Sequence, residues 1–116
     1  MVIYRPHRGG IAEAISEAKE FENIDGMKEY ILEYWTKHMP HSYKPFEISD
    51  IVIDGDSHDD DRIGWRNVHH VCVKRLGNED YMKEYGCPQC IGMCSEDYDK
   101  NYMEVFEEWC KQQVGA

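Results

Sequence analysis

Basic side chains are scarce: 13 lysines and arginines stand against 23 aspartates and glutamates in 116 residues, a formal net charge of −10. That deficit argues against a direct grip on DNA, RNA or an anionic membrane, because such a surface repels phosphate. Long apolar runs are also missing. No stretch reaches the roughly 20 residues that span a bilayer, and Met1 to Tyr4 runs straight into Arg5-Pro6-His7-Arg8 instead of an apolar leader. Equally absent are a nucleophile elbow, a phosphate-cradling glycine loop and a His-Glu-x-x-His pair, so the sequence gives no support to catalysis. No repeat, linker or shift in composition divides the chain, and a single domain over residues 1–116 is expected.

What is present suffices for a core. Hydrophobic residues make up 41% and aromatics 12%, which excludes a disordered tail and allows one globule. Val2-Ile3-Tyr4 reads as a first strand, stopped by Pro6 and Gly9-Gly10. Ile11, Ala14, Ile15, Ala18 and Phe21 recur at helical spacing, opposite Glu13, Glu17 and Glu20. A second helix follows, capped by Asn23 or Asp25, with Ile24, Met27, Tyr30, Ile31, Tyr34 and Trp35 on its apolar side and an end near His38 to Pro40. Residues 40–45 read as a loop, Ile51-Val52-Ile53 as a strand, and Ile63 to Arg75 as a longer strand pairing back on it. A single helical turn is expected between Asn78 and Tyr85. The last helix is expected to start at a Ser95 cap, with Tyr98, Tyr102, Val105, Phe106 and Trp109 along one stripe and Cys110 as a small core residue. The expected class is α+β: a small antiparallel sheet, two N-terminal helices, a C-terminal helix and a metal-stapled loop.

That loop is Cys87-Pro88-Gln89-Cys90-Ile91-Gly92-Met93-Cys94, three of the five cysteines within eight residues. A Cys-x-x-Cys turn holds two sulfurs on one side of a tight loop, and Gly92 would let Cys94 swing to a third position. Thiolates about 2.3 Å from a tetrahedral ion suit Zn²⁺. A closed site takes four ligands, and Cys72 or His7 could complete it if the first strand lies near the long one. An odd cysteine count without a leader points to a reducing cytoplasm, where clustered thiols more often hold metal than form disulfides. A redox pair is disfavoured, because the acidic neighbours Glu84, Glu96 and Asp97 raise a thiol pKa. His69 and His70 point to opposite strand faces and read as ordinary strand residues.

The tract Asp54-Gly55-Asp56-Ser57-His58-Asp59-Asp60-Asp61 is polar and self-repelling enough to be an exposed turn. It is no EF-hand, since Trp65 stands where the twelfth-position Glu belongs. Asp54, Asp56, Asp59, Asp60 and Asp61 are therefore candidates for contacting a basic protein, with Glu104, Glu107 and Glu108 behind them.

Ile3-Tyr4-Arg5-Pro6-His7-Arg8-Gly9, Asp59-Asp60-Asp61-Arg62-Ile63-Gly64-Trp65, Val71-Cys72-Val73-Lys74-Arg75 and Gln89-Cys90-Ile91-Gly92-Met93-Cys94 together resemble a family of small phage and prophage proteins, placed with zinc-bearing anti-CRISPR proteins directed at type II effectors. The resemblance implies a protein of the host cytoplasm that binds an RNA-guided nuclease and hinders loading or cleavage of target DNA, without turnover. It implies metal ligation by Cys90 and Cys94, with His7 and Cys72 in two other matching segments, so a set of His7, Cys72, Cys90 and Cys94 rivals one built on all three loop thiols. The alternative is a phage-encoded zinc adaptor or regulator of another host protein. Effectors of this kind hold nucleic acid in positively charged channels, where an acidic partner competes by charge complementarity.

Overall fold

A computed structural model describes residues 1–7, 10–38, 46–73 and 89–114. Their frame is a curled antiparallel sheet with the strand order β2-β1-β6-β5-β3, and β4 and β7 add to β5 at its other end. The strands are β1 (Val2–Pro6), β2 (Lys19–Phe21), β3 (Ile51–Ile53), β4 (His58–Asp60), β5 (Trp65–Val73), β6 (Gln89–Ser95) and β7 (Asp97–Tyr98). Three helices flank them: α1 (Ile11–Ser16), α2 (Ile24–His38) and α3 (Tyr102–Val114). The α+β class and the antiparallel sheet stand as expected. Residues 40–45, the proposed turn over 78–85, and Cys87 lie outside the described residues.

β5 is the spine. Its second half is rich in β-branched residues and pairs with β3 through Ile51↔Val73, Val52↔Cys72 and Ile53↔Val71. Its start pairs instead with β4 and β7. The change of partner coincides with Asn67, which takes a left-handed φ of 49° and whose backbone N–H donates to Asp59 Oδ1 at 3.1 Å. Asparagine tolerates that conformation, and the local kink lets one strand serve two ends of a curled sheet.

One face of the sheet is sealed by α2. Asn23 caps this helix, its Oδ1 accepting from the Gly26 N–H at 2.8 Å. Met27, Ile31, Tyr34 and Trp35 then pack on Val2, Tyr4, Val71, Val73, Ile91 and Cys94. Met27 and Ile31 are fully buried, each contributing about 1.5–3 kcal/mol of apolar transfer. On the other face Ile3, Trp65 and Val68 form a second cluster with Ile63 and with Ile15 of α1, and Tyr102 and Phe106 of α3 pack against it.

Four expectations change. The first helix stops at Ser16, and Lys19–Phe21 becomes an edge strand with the register Val2↔Phe21, Ile3↔Glu20 and Tyr4↔Lys19. Backbone pairing to β1 overrides the helical periodicity, while Phe21 still reaches the core by packing on Tyr30 with ring centroids 5.1 Å apart. The last helix begins at Tyr102, because Asp97–Tyr98 pairs with Trp65 and Arg66 as β7. Ser95 is no cap: its hydroxyl donates to Arg66 O. Cys110 is half-buried rather than a core residue. Lastly, residues 89–94 of the thiol loop form the strand β6, hydrogen-bonded between β1 and β5.

Candidate functional site

Two surfaces gather the chemistry-bearing residues. The first is acidic. Asp54, Asp56, Asp59 and Asp61 are exposed as expected, but Asp60 is not: its side chain is 5% exposed. Asp60 Oδ2 accepts from Arg5 Nη2 at 3.1 Å and Arg62 Nη2 at 2.9 Å, and Oδ1 accepts from Arg62 Nε at 2.9 Å. Alternation along β4 turns it inward, and Arg5, 4% exposed on β1, supplies the countercharge. Burial pushes the Asp60 carboxyl upward, but the hydrogen bonds and charge of Arg62, with the charge of Arg5, outweigh it and hold the group below its ordinary range. Asp60 is therefore buried in an ion pair of the fold and not exposed as expected. Two neighbours are partly engaged as well, since Asp54 Oδ1 accepts from the Asp56 N–H at 3.0 Å and Asp59 from Asn67.

The acidic turn does not stand alone. Asp61 lines a shallow groove of about 340 Å³ together with Glu104, Val105, Glu108 and Trp109 of α3. Trp109 stacks on Phe106 with centroids 6.2 Å apart and planes 14° from parallel. α3 has no fully buried residue, so its aromatic stripe is half covered by its own sheet. Carboxylates around an accessible indole suit a lysine or arginine, which gains ion pairing and a cation–π contact in one place.

The second surface holds thiols and imidazoles. Cys72 and Cys90 are register partners on β5 and β6, and the register of this pair shifts between Val71↔Gly92 and Cys72↔Cys90. Ile91 is the extra residue. In an unbroken strand Cys90 and Cys94 would share a face; the extra residue separates them. Cys94 goes to the α2 face, 3% exposed, beside Tyr4. Its thiol pKa is pushed up to about 12 by burial and then by the charge of Glu96. Cys90 stays on the opposite face, its Sγ 3.4 Å from His70 Nδ1. The ring of His58 lies 5.5 Å from that of His70, centroid to centroid. Burial and then the charge of His58 hold the His70 pKa down.

The structure thus joins Cys72 to Cys90, as the sequence allowed, and parts Cys94 from both. His7 follows β1 on the same side as Arg5 and is exposed, its backbone N–H donating to Ile91 O at 2.9 Å. Among the described residues, no three of His, Cys, Asp and Glu already converge as a metal site. His70, expected to be an ordinary strand residue, stands beside Cys90. The usable signal was its spacing to Cys72: two apart on a strand puts both on one face. Gly92 also acts otherwise than expected: a Cβ there would run into the ring of Tyr4 and the Arg5 carbonyl, so its small size admits Tyr4 rather than freeing Cys94.

Among the described residues no helix is long and apolar enough to cross a membrane. No family model, curated protein or solved structure matches the chain.

Proposed function

We propose that the chain is a stoichiometric inhibitor that binds a type II RNA-guided effector nuclease and hinders loading or cleavage of target DNA, with a structural zinc ion as part of its fold. The observation that carries this reading is the shared groove of Asp61, Glu104, Glu108 and Trp109, which joins the acidic turn to α3 on a chain of net charge −10. A nuclease that holds nucleic acid in a basic channel offers the matching partner, and the segments that resemble anti-CRISPR proteins name that class. Charge of this kind steers encounter and selects the partner more than it adds affinity.

The test is a cleavage assay with purified effector, guide and target duplex. Protection should rise in proportion to the inhibitor and saturate near one chain per nuclease, with a complex that co-elutes. If cleavage is unaffected and no complex forms, the same half-covered α3 stripe belongs to an adaptor for another host protein. Protection at a small fraction of one equivalent would instead mean turnover.

A further inference from the structure

On the outer face of the sheet Cys72 and Cys90 have His58 and His70 for neighbours, two imidazoles that the ligand sets read from the sequence lack. By alternation, Val68, His70 and Cys72 of β5 share a face, and Cys90, opposite Cys72, shares it too. We propose that His58, His70, Cys72 and Cys90 bind one zinc ion there, and that Cys94 takes no part. This deepens the reading above by giving its structural zinc a ligand set.

Two separations fit a tetrahedral ion, and the pairing of Cys72 with Cys90 is compatible with both. Ligands at about 2.3 Å for sulfur and about 2.0 Å for nitrogen lie about 3.5 Å apart across a tetrahedral edge. Cys90 Sγ and His70 Nδ1 stand at 3.4 Å. Two imidazoles on one such ion place their centroids roughly 5 Å apart. Those of His58 and His70 are at 5.5 Å. Cys72 and Cys90, directly paired, bring their Cβ atoms to about 4.5–5.5 Å, within which two thiolates reach a common ion by rotation about χ1. The donor set is that of a closed structural zinc site, and its partial exposure leaves an entry path. The ion would clamp β4, β5 and β6 together.

The experiment is native mass spectrometry with elemental analysis on the reduced full chain, followed by Co²⁺ titration. One ion per chain and a tetrahedral cobalt spectrum with two thiolate ligands are expected. His70→Ala and Cys72→Ser should each weaken zinc binding by more than about tenfold, the least that loss of even a supporting residue costs. Cys94→Ala should leave stoichiometry and spectrum unchanged. A metal-free wild type after zinc supplementation overturns the site, as does loss of metal on Cys94→Ala with retention in His70→Ala. So does a mass deficit of two hydrogens from a Cys72–Cys90 disulfide in the reduced preparation. The cobalt spectrum of the wild type keeps the test decisive if a variant fails to fold. The cleavage assay is scored separately, so a zinc-loaded chain that protects no DNA refutes the inhibitor and leaves the site standing.

Discussion

The two faces of the sheet solve burial differently. Under α2 the polar atoms are matched: the Tyr4 hydroxyl donates to Ile91 O at 2.7 Å and accepts from Trp35 Nε1 at 2.9 Å, within a shell of apolar side chains. Burial above all holds the Tyr4 phenol well above its ordinary pKa, so it stays a neutral donor. On the opposite face Arg5 lies over the Trp65 ring at 5.2 Å and faces Asp60, and both Arg5 Nη1 and Trp65 Nε1 are buried without a hydrogen-bond partner among the described residues. That face also leaves its imidazoles and thiols partly open. The first face is closed by apolar packing; the second combines packing with buried charge and half-exposed donor atoms.

The sharpest way to break the contrast is Asp60→Ala. It leaves Arg5 buried without its countercharge, and breaking such a pair costs about 3–5 kcal/mol. Urea denaturation should show the midpoint fall without change in slope. The folded-state pKa of Asp60 is depressed, so its stabilisation is present above the ordinary carboxylate range and is lost as pH falls through the lower folded value. Wild-type stability should therefore drop in acid along a limb that Asp60→Asn flattens. A flat wild-type profile would mean that the pair contributes nothing.

Much of the α2 face was legible in the sequence, because it rests on local signals. The Asn23 cap and the spacing of Met27, Ile31, Tyr34 and Trp35 define α2 without reference to any distant residue. The antiparallel pairing of residues 51–53 with the long strand was legible for the same reason. The second face was not. Asp60 sits in a run of carboxylates, and nothing local distinguishes it from Asp59; its burial depends on Arg5, 55 residues away. The parting of Cys90 from Cys94 depends on one extra residue in β6, a property of the register and not of the spacing. Tyr98 likewise matched the helical stripe, yet it pairs as strand with Trp65.

A smaller perturbation probes the boundary between the faces. Gly92 lies where β6 runs beneath Tyr4, and a methyl group there meets the Tyr4 ring and Arg5 backbone. Gly92→Ala should destabilise by about 1–3 kcal/mol through overpacking. Because Tyr4 links Trp35 to Ile91, the near-ultraviolet circular dichroism should change with it. A neutral Gly92→Ala would show that the strand can shift away from α2 without cost, and the first face would then be less tightly fitted than its burial implies.

The smallest effect on stability should accompany the largest effect on association. Asp61 and Glu108 are exposed, and both line the groove beside Trp109. Reversing them together, Asp61→Lys with Glu108→Lys, should move folding stability by no more than about 0.5 kcal/mol, as surface changes usually do. The same double variant should weaken binding to a basic partner, most at low ionic strength, where screening is weakest. Its dependence on salt should be shallower than that of the wild type, since fewer charge pairs form. Asp60→Asn in the same binding assay is the control: it removes charge from the fold rather than from the groove. If the double reversal binds as tightly as wild type at every salt concentration, the acidic groove only keeps the chain apart from its neighbours. The contact surface would then have to lie elsewhere.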